Sequence, residues 1–240
     1  MTISVRDGLE AIDYSGAALS PDGRVAFTYQ IGGVAGDIYV KQASGAGAAE
    51  PLVQSPALKH PNHWSLDGKY IVYDEHSSMK QDLWVIPMTG DRKPVPFLVT
   101  PADETDAKFS PDTRWIAYSS DESGRREVYV QGFLPDRAPA AGVGKWQISP
   151  SGGAKPAWRR DGKELYYIAT SGMMMSVAVK STATGLEPGV AVPLFQTNTR
   201  GSLPYDVTAD GRFLINTVIE DSAASGSLTV VLNWTAGLKK

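Results

Sequence analysis

Five times along the chain a run of apolar and aromatic residues follows the same polar turn. Each turn reads apolar residue, polar residue, any residue, Asp and usually Gly, and a basic residue then leads into the apolar run. The copies are Leu19-Ser20-Pro21-Asp22-Gly23-Arg24, Trp64-Ser65-Leu66-Asp67-Gly68-Lys69, Phe109-Ser110-Pro111-Asp112-Thr113-Arg114, Trp158-Arg159-Arg160-Asp161-Gly162-Lys163 and Val207-Thr208-Ala209-Asp210-Gly211-Arg212. Their aspartates lie 45, 45, 49 and 49 residues apart, a period expected of four-stranded propeller blades. Pro presets φ, Asp bonds neighbouring backbone and Gly tolerates positive φ, so each motif is a turn joining two antiparallel strands, a and b. Strand b is predicted at Val25–Tyr29, Tyr70–Tyr73, Trp115–Tyr118, Leu165–Ile168 and Phe213–Ile215. Such apolar runs suit strands packed on both faces between neighbouring blades.

Strand c begins 15 residues after the turn aspartate in the first three repeats: Asp37-Ile38-Tyr39-Val40, Asp82-Leu83-Trp84-Val85 and Glu127-Val128-Tyr129-Val130. The fourth copy is degraded to Met174-Met175-Ser176-Val177, and the fifth reads Leu228-Thr229-Val230-Val231. Strand d is the weakest signal, at Pro51–Val53, Phe97–Val99, Trp146–Ile148 and Pro193–Phe195. The fifth repeat lacks its own strand d, while Ile3-Ser4-Val5 precedes Asp22 at about the separation strand d keeps elsewhere. An N-terminal strand completing the last blade would remove the open edges of a linear array. The expected fold is therefore all-β, one propeller domain over residues 1–240. It is either a five-bladed ring closed by the N-terminal strand or five blades of a ring of six or more.

Composition adds boundaries. Of 240 residues 42% are hydrophobic and 20% charged, with a net charge of −3, the balance of an ordinary globular chain without the positive field of a nucleic-acid binder. No apolar run approaches the roughly 18 residues that cross a bilayer, and Met1–Asp7 has neither the basic nor the apolar region of a secretion signal. The chain has no cysteine, which excludes disulfides and thiolate catalysis.

The Ser-Pro-Asp-Gly turn followed by Asp-Ile-Tyr-Val resembles the bacterial WD40-like repeat (PD40) of TolB-type propellers, over nearly the whole chain from about Ser15. Gly144-Lys145-Trp146-Gln147-Ile148-Ser149, Trp158 to Tyr167 and the ending Leu228 to Lys240 resemble the C-terminal propeller of certain bacterial serine/threonine protein kinases. In those kinases a catalytic domain precedes a membrane span and the propeller serves as an extracytoplasmic sensor. The resemblance implies a free-standing relative, cytoplasmic if the chain is complete, or the periplasmic or extracytoplasmic tail of such a kinase. TolB-type rings usually have six or more blades, whereas five repeats are visible here. No Gly-rich phosphate loop, His-Arg-Asp or Asp-Phe-Gly is present, so kinase activity in this chain is rejected.

The same propeller type forms the lid of prolyl-oligopeptidase-like hydrolases, but their Gly-x-Ser-x-Gly elbow is missing too. Five-bladed glycoside hydrolases use paired carboxylates around a central pocket. Glu104 and Asp106, with Asp206, are the candidates, although acidic loop residues are commonly solvated or cap turns. His60 and His63 flank the start of strand a, and His76 stands in the predicted b-to-c loop beside Asp74 and Glu75. Those ligand types suit zinc, yet His60 and His63, three apart in an extended segment, point to opposite sides. No metal and no cofactor are therefore expected.

The basic residues after each turn, Arg24, Lys69, Arg114, Lys163 and Arg212, are read as structural, with the acids opening strand c (Asp37, Asp82, Glu127) as local partners. Met173-Met174-Met175 is read as filler of an irregular strand, and Leu134 to Gly142 as a c-to-d loop lengthened by insertion. The sequence thus points to a non-enzymatic binding or sensor module, a monomer expected to recognise a protein or small ligand on the central face. Contacts are expected from d-to-a loops and strand a entrances: His60, Asn62, Glu104, Asp106, Lys155, Arg200 and Tyr205. Neither nucleic acid nor a membrane segment is expected.

Overall fold

The computed structural model describes residues 16–30, 36–77, 80–136, 141–182, 185–199 and 205–216. Each Asp turn folds back the chain as its residue types dictate. In the third repeat the Ser110 hydroxyl donates to Asp112 (2.6 Å) and accepts the Trp115 amide (3.0 Å), and Thr113 N–H donates to the Ser110 carbonyl (2.9 Å). The second repeat repeats this scheme through Ser65, Asp67, Gly68 and Tyr70. The residue after Asp sits at φ between 59° and 84° in all five turns, glycine in four of them and Thr113 in the third.

Four antiparallel sheets of four strands follow in chain order. The first holds β1 (Ala17–Leu19), β2 (Arg24–Gln30), β3 (Gly36–Gln42) and β4 (Glu50–Val53). The second holds β5 (Leu58–Trp64), β6 (Tyr70–Ser77), β7 (Lys80–Pro87) and β8 (Val95–Leu98). The third holds β9 (Glu104–Phe109), β10 (Trp115–Ser120), β11 (Glu127–Phe133) and β12 (Ala141–Gln147). The fourth holds β13 (Gly153–Trp158), β14 (Glu164–Ala169), β15 (Met173–Ser181) and β16 (Leu186–Gln196). In the fifth repeat β17 (Tyr205–Val207) pairs with β18 (Phe213–Ile215). The strands expected at Leu228–Val231 and Ile3–Val5 lie outside the described residues.

The core lies between sheets. Val72, Leu83, Val85 and Phe97 of the second pack on Phe109, Ile116, Tyr118 and Phe133 of the third. Similar layers join the first sheet to the second through Ile38 and Trp64, and the third to the fourth through Trp115 and Leu165. Tyr166, Met174 and Phe213 join the fourth to the fifth. The first strands of consecutive sheets meet one another, β1 on β5, β5 on β9, β9 on β13 and β13 on β17. They are the inner strands, whereas the last strand of the fourth sheet, β16, exposes Val190, Val192 and Leu194. Among the described residues no helix is long and apolar enough to cross a membrane.

Two expectations need correction, and a third holds on one side of its strand. β6 continues through Ser77, so Asp74, Glu75 and His76 stand in a strand and not in a loop. Met173–Met175 open β15, which keeps register with β14 but shifts against β16 between Met174 and Met175, the irregularity expected of this strand. The acids opening the third strands do not partner the basic residues after the turns. Arg24 lies across from Gln42 and Asp37 across from Tyr29, at opposite ends of the hairpin. Arg24 instead pairs with its own turn acid Asp22, and Asp37 with Lys59 of the next sheet.

Candidate polar site on the inner strands

Bulges on three consecutive inner strands build the site. Pairing shifts between Pro61 and His63 on β5, opposite Tyr118 on β9, and between Ala154 and Ala157 on β13. One extra residue bends an inner strand and redirects its side chains. On β9 and β13 the bulge residues Asp106 and Lys155 adopt φ of 61° and 59°, a conformation L side chains seldom take.

These two residues meet across the sheets. Lys155 Nζ lies 2.6 Å from Asp106 Oδ1, while Asp106 Oδ2 accepts from the hydroxyls of Ser119 (2.9 Å) and Thr105 (3.2 Å). The Tyr205 hydroxyl donates to the Lys155 carbonyl at 2.6 Å. Burial, reinforced by the Asp106 and Asp206 carboxylates, pushes that phenol well up, so it remains a neutral donor. Lys108 donates from Nζ to the Asn62 carbonyl at 2.7 Å. Burial draws the Lys108 ammonium below its ordinary range, against the opposing pull of Asp206 and Asp106. Beside Lys155 a cavity of about 230 Å³ is lined by Arg126, Thr170 and Thr199 among others. Arg126 is held by the Asp103 carbonyl (3.2 Å) and the Thr105 hydroxyl (3.0 Å).

A second group gathers on β5 and β6. His60 Nδ1 and His76 Nε2 each lie 3.1 Å from Asp74 Oδ2 and 2.9 Å from one another. Asn62 Nδ2 donates to Asp74 Oδ1 (2.6 Å) and to the His60 carbonyl (2.8 Å), and its Oδ1 accepts the Ala107 amide (2.8 Å). Burial by itself raises the Asp74 carboxyl, but hydrogen bonds from His60, His76 and Asn62 outweigh it and hold the group below the usual carboxylate range.

Of the residues expected at the site, Asp106, Lys155 and Tyr205 come together directly, and His60 and Asn62 join the neighbouring group. Arg200 lies outside the described residues. Glu104 does not present its carboxylate to a ligand. It is fully buried, receives the Thr100 hydroxyl at Oε1, and leaves Oε2 unpaired among the described residues. Burial, aided by Asp82 and Glu122, pushes it up to about 7 against the Thr100 and Lys80 contributions. His63 is apart from the other two histidines: its Nδ1 accepts the Phe109 amide at 3.2 Å, and burial lowers it to about 3. The sequence sets Asp74 beside His76 without giving it a role, and nothing in it marks Lys108 or Arg126. The alternation of Asp74 with His76 was the one available signal.

No protein-family model matches this chain, and no curated protein matches it either. Solved structures do. TolB from Acinetobacter baumannii is 16% identical with a TM-score of 0.63, over 85% of this chain and 49% of that one. The β-propeller domain of Myceliophteria thermophila Cps50 (Swd1) is 16% identical with a TM-score of 0.59, over 95% and 72%. The periplasmic gluconolactonase of Pseudomonas aeruginosa is 19% identical with a TM-score of 0.57, over 91% and 71%. The chain therefore spans about half the length of the TolB it matches. At these identities the likeness establishes the fold, a β-propeller of the TolB-like and WD40-like kind.

Proposed function

We propose that this chain is a non-enzymatic recognition module that captures a protein or a small polar ligand on the inner strands of its propeller. The observation that carries this reading is the Asp106–Lys155 pair. Two non-glycine residues at positive φ cost about 1–2 kcal/mol each, and glycine would relieve that cost at either position. Keeping charged side chains there instead fits a selected surface more than a folding requirement. The pair is also reachable, with side chains 15% and 32% exposed. Cations, carboxylates and hydroxyls alternate across the face, which suits oriented polar contacts.

Propellers host unrelated functions on one scaffold, and the gluconolactonase shares this fold. Hydrolysis by central carboxylates is therefore measured beside binding. The burial of Glu104 removes one of the acids such a reaction would use, leaving Asp106 and Asp206. On the resemblance to kinase propellers the recognition would act as a sensor, a placement supported if the upstream reading frame encodes a membrane span and a kinase domain. The direct test is a melting-shift screen of the whole chain against sugars, lactones, amino acids and short peptides, repeated on Lys155→Ala. Ligands that stabilise the native chain, lose that effect in the variant and are recovered unchanged support the reading. Turnover abolished by Asp106→Asn overturns it.

A further inference from the structure

The trio on β5 and β6 is put together by strand geometry alone. Asp74 and His76 alternate along β6 and leave the same face, and His60 stands directly across the strand pair from Asp74. His60 Nδ1, Asp74 Oδ2 and His76 Nε2 form a triangle with sides of 2.9, 3.1 and 3.1 Å. As a carboxylate with two imidazoles, it cannot be satisfied by protons. If both ring nitrogens donate to the carboxylate, two N–H groups face each other. If one nitrogen instead accepts from the other, it faces the carboxylate oxygen lone pair to lone pair. Every tautomer leaves one edge repulsive.

A cation at the centre satisfies all three edges together. Ligand atoms about 2.0–2.1 Å from a tetrahedral zinc-type ion stand about 3.3 Å apart, so each side of the triangle needs to open by only about 0.2–0.4 Å. The outer shell is already in place. Asn62 fixes Asp74 through its other oxygen and is itself held by the His60 carbonyl and the Ala107 amide, the kind of support that orients metal ligands. Asp74 is nearly buried at 6% side-chain exposure, whereas His60 is 16% and His76 32% exposed. The triangle is thus closed beneath and open towards the histidines.

We propose that His60, Asp74 and His76 form a three-ligand site for a divalent first-row transition cation of the zinc class, with a further coordination position open to solvent. Two imidazoles with one carboxylate favour such an ion over magnesium or calcium, which prefer all-oxygen shells. The site goes beyond the recognition reading and does not depend on it. The expectation of no metal rested on His60 and His63 diverging; the register across β5 and β6 brings His60 instead to Asp74 and His76.

The test is a cobalt(II) titration of the untagged, chelator-treated whole chain, read by visible absorption and followed by zinc competition. The expected result is saturation at one equivalent, with zinc displacing cobalt. Asn62→Ala should weaken binding by roughly ten- to a hundredfold, and His76→Gln should weaken it more. His76 is partly exposed, so its replacement is expected to fold, which a circular dichroism melt without metal checks. If that variant is destabilised, histidine proton signals of the native chain, with and without zinc, give the same answer: His60 and His76 shift and His63 does not. Absence of saturable binding, or native affinity in folded His76→Gln, would overturn the site.

Discussion

Lys155 Nζ stands 2.6 Å from Asp106 Oδ1, and each residue occupies the positive-φ position of a bulge on its own inner strand. The pairing spans 49 residues of sequence, so it joins the third sheet to the fourth. Replacing either residue by glycine relieves about 1–2 kcal/mol of left-handed strain. Against that stand about 0.5–1 kcal/mol of backbone entropy and up to about 1 kcal/mol for a partly exposed ion pair. Asp106→Gly and Lys155→Gly should therefore each change stability by no more than about 1 kcal/mol in denaturant unfolding, while ligand capture is lost. A much larger loss of stability would make the pair a folding element.

Glu104 makes stability depend on pH. Its folded value of about 7 lies above the ordinary 4.5, so folding retains the proton. That contribution is fully present below about pH 4.5 and is lost as pH rises through about 7, on the order of 3 kcal/mol in all. Glu104→Gln should abolish this slope and leave the protein more stable than the native chain at pH 8. Melting curves between pH 4.5 and 8 check it, and parallel slopes in the two proteins would refute the assignment.

Thr113 holds φ of 59° where the other turns use glycine. A β-branched side chain is a true outlier there. Thr113→Gly is expected to stabilise by up to about 1 kcal/mol, strain relief slightly exceeding the added chain entropy. Denaturant unfolding at unchanged m-value is the measurement, and a clear destabilisation would contradict it.

Gly16 shows the opposite constraint. A Cβ built on it would lie 2.9 Å from His60 Cβ, 3.2 Å from His60 Cα and 3.2 Å from the Pro61 carbonyl oxygen. Two of those neighbours are backbone atoms that yield poorly. Gly16→Ala should cost roughly 1–3 kcal/mol, as overpacking commonly does, and should weaken cobalt binding by displacing His60. Native stability in this variant would show that the first inner strand yields without cost.

The fold was legible because its signals are local and repeated. Pro-Asp-Gly chemistry and the runs after it place β2, β6, β10, β14 and β18 within a few residues of their predicted positions. The residue types of the site were legible for the same reason, since strand entrances follow at a fixed distance before each turn. Their roles were not. Bulges at Asn62, at Asp106 and beside Lys155 break the alternation on which any sequence assignment of facing rests. Glu104 sits in the acidic run Asp103 to Asp106, and its burial comes from β6 and β7 of the second sheet packing against β9. Asp74 joins His60 only through a cross-strand register that no local pattern states.

The measurement that reaches the central claim most directly is isothermal titration of a ligand from the melting-shift screen into the native chain, Lys155→Ala and Gly68→Ala, a turn variant remote from the inner-strand pair. The account expects affinity to fall by about tenfold or more in Lys155→Ala, the loss of one charged hydrogen bond, with native affinity in Gly68→Ala and ligand recovered intact. Equal affinity in the native chain and Lys155→Ala would contradict it, and would move recognition off the inner strands.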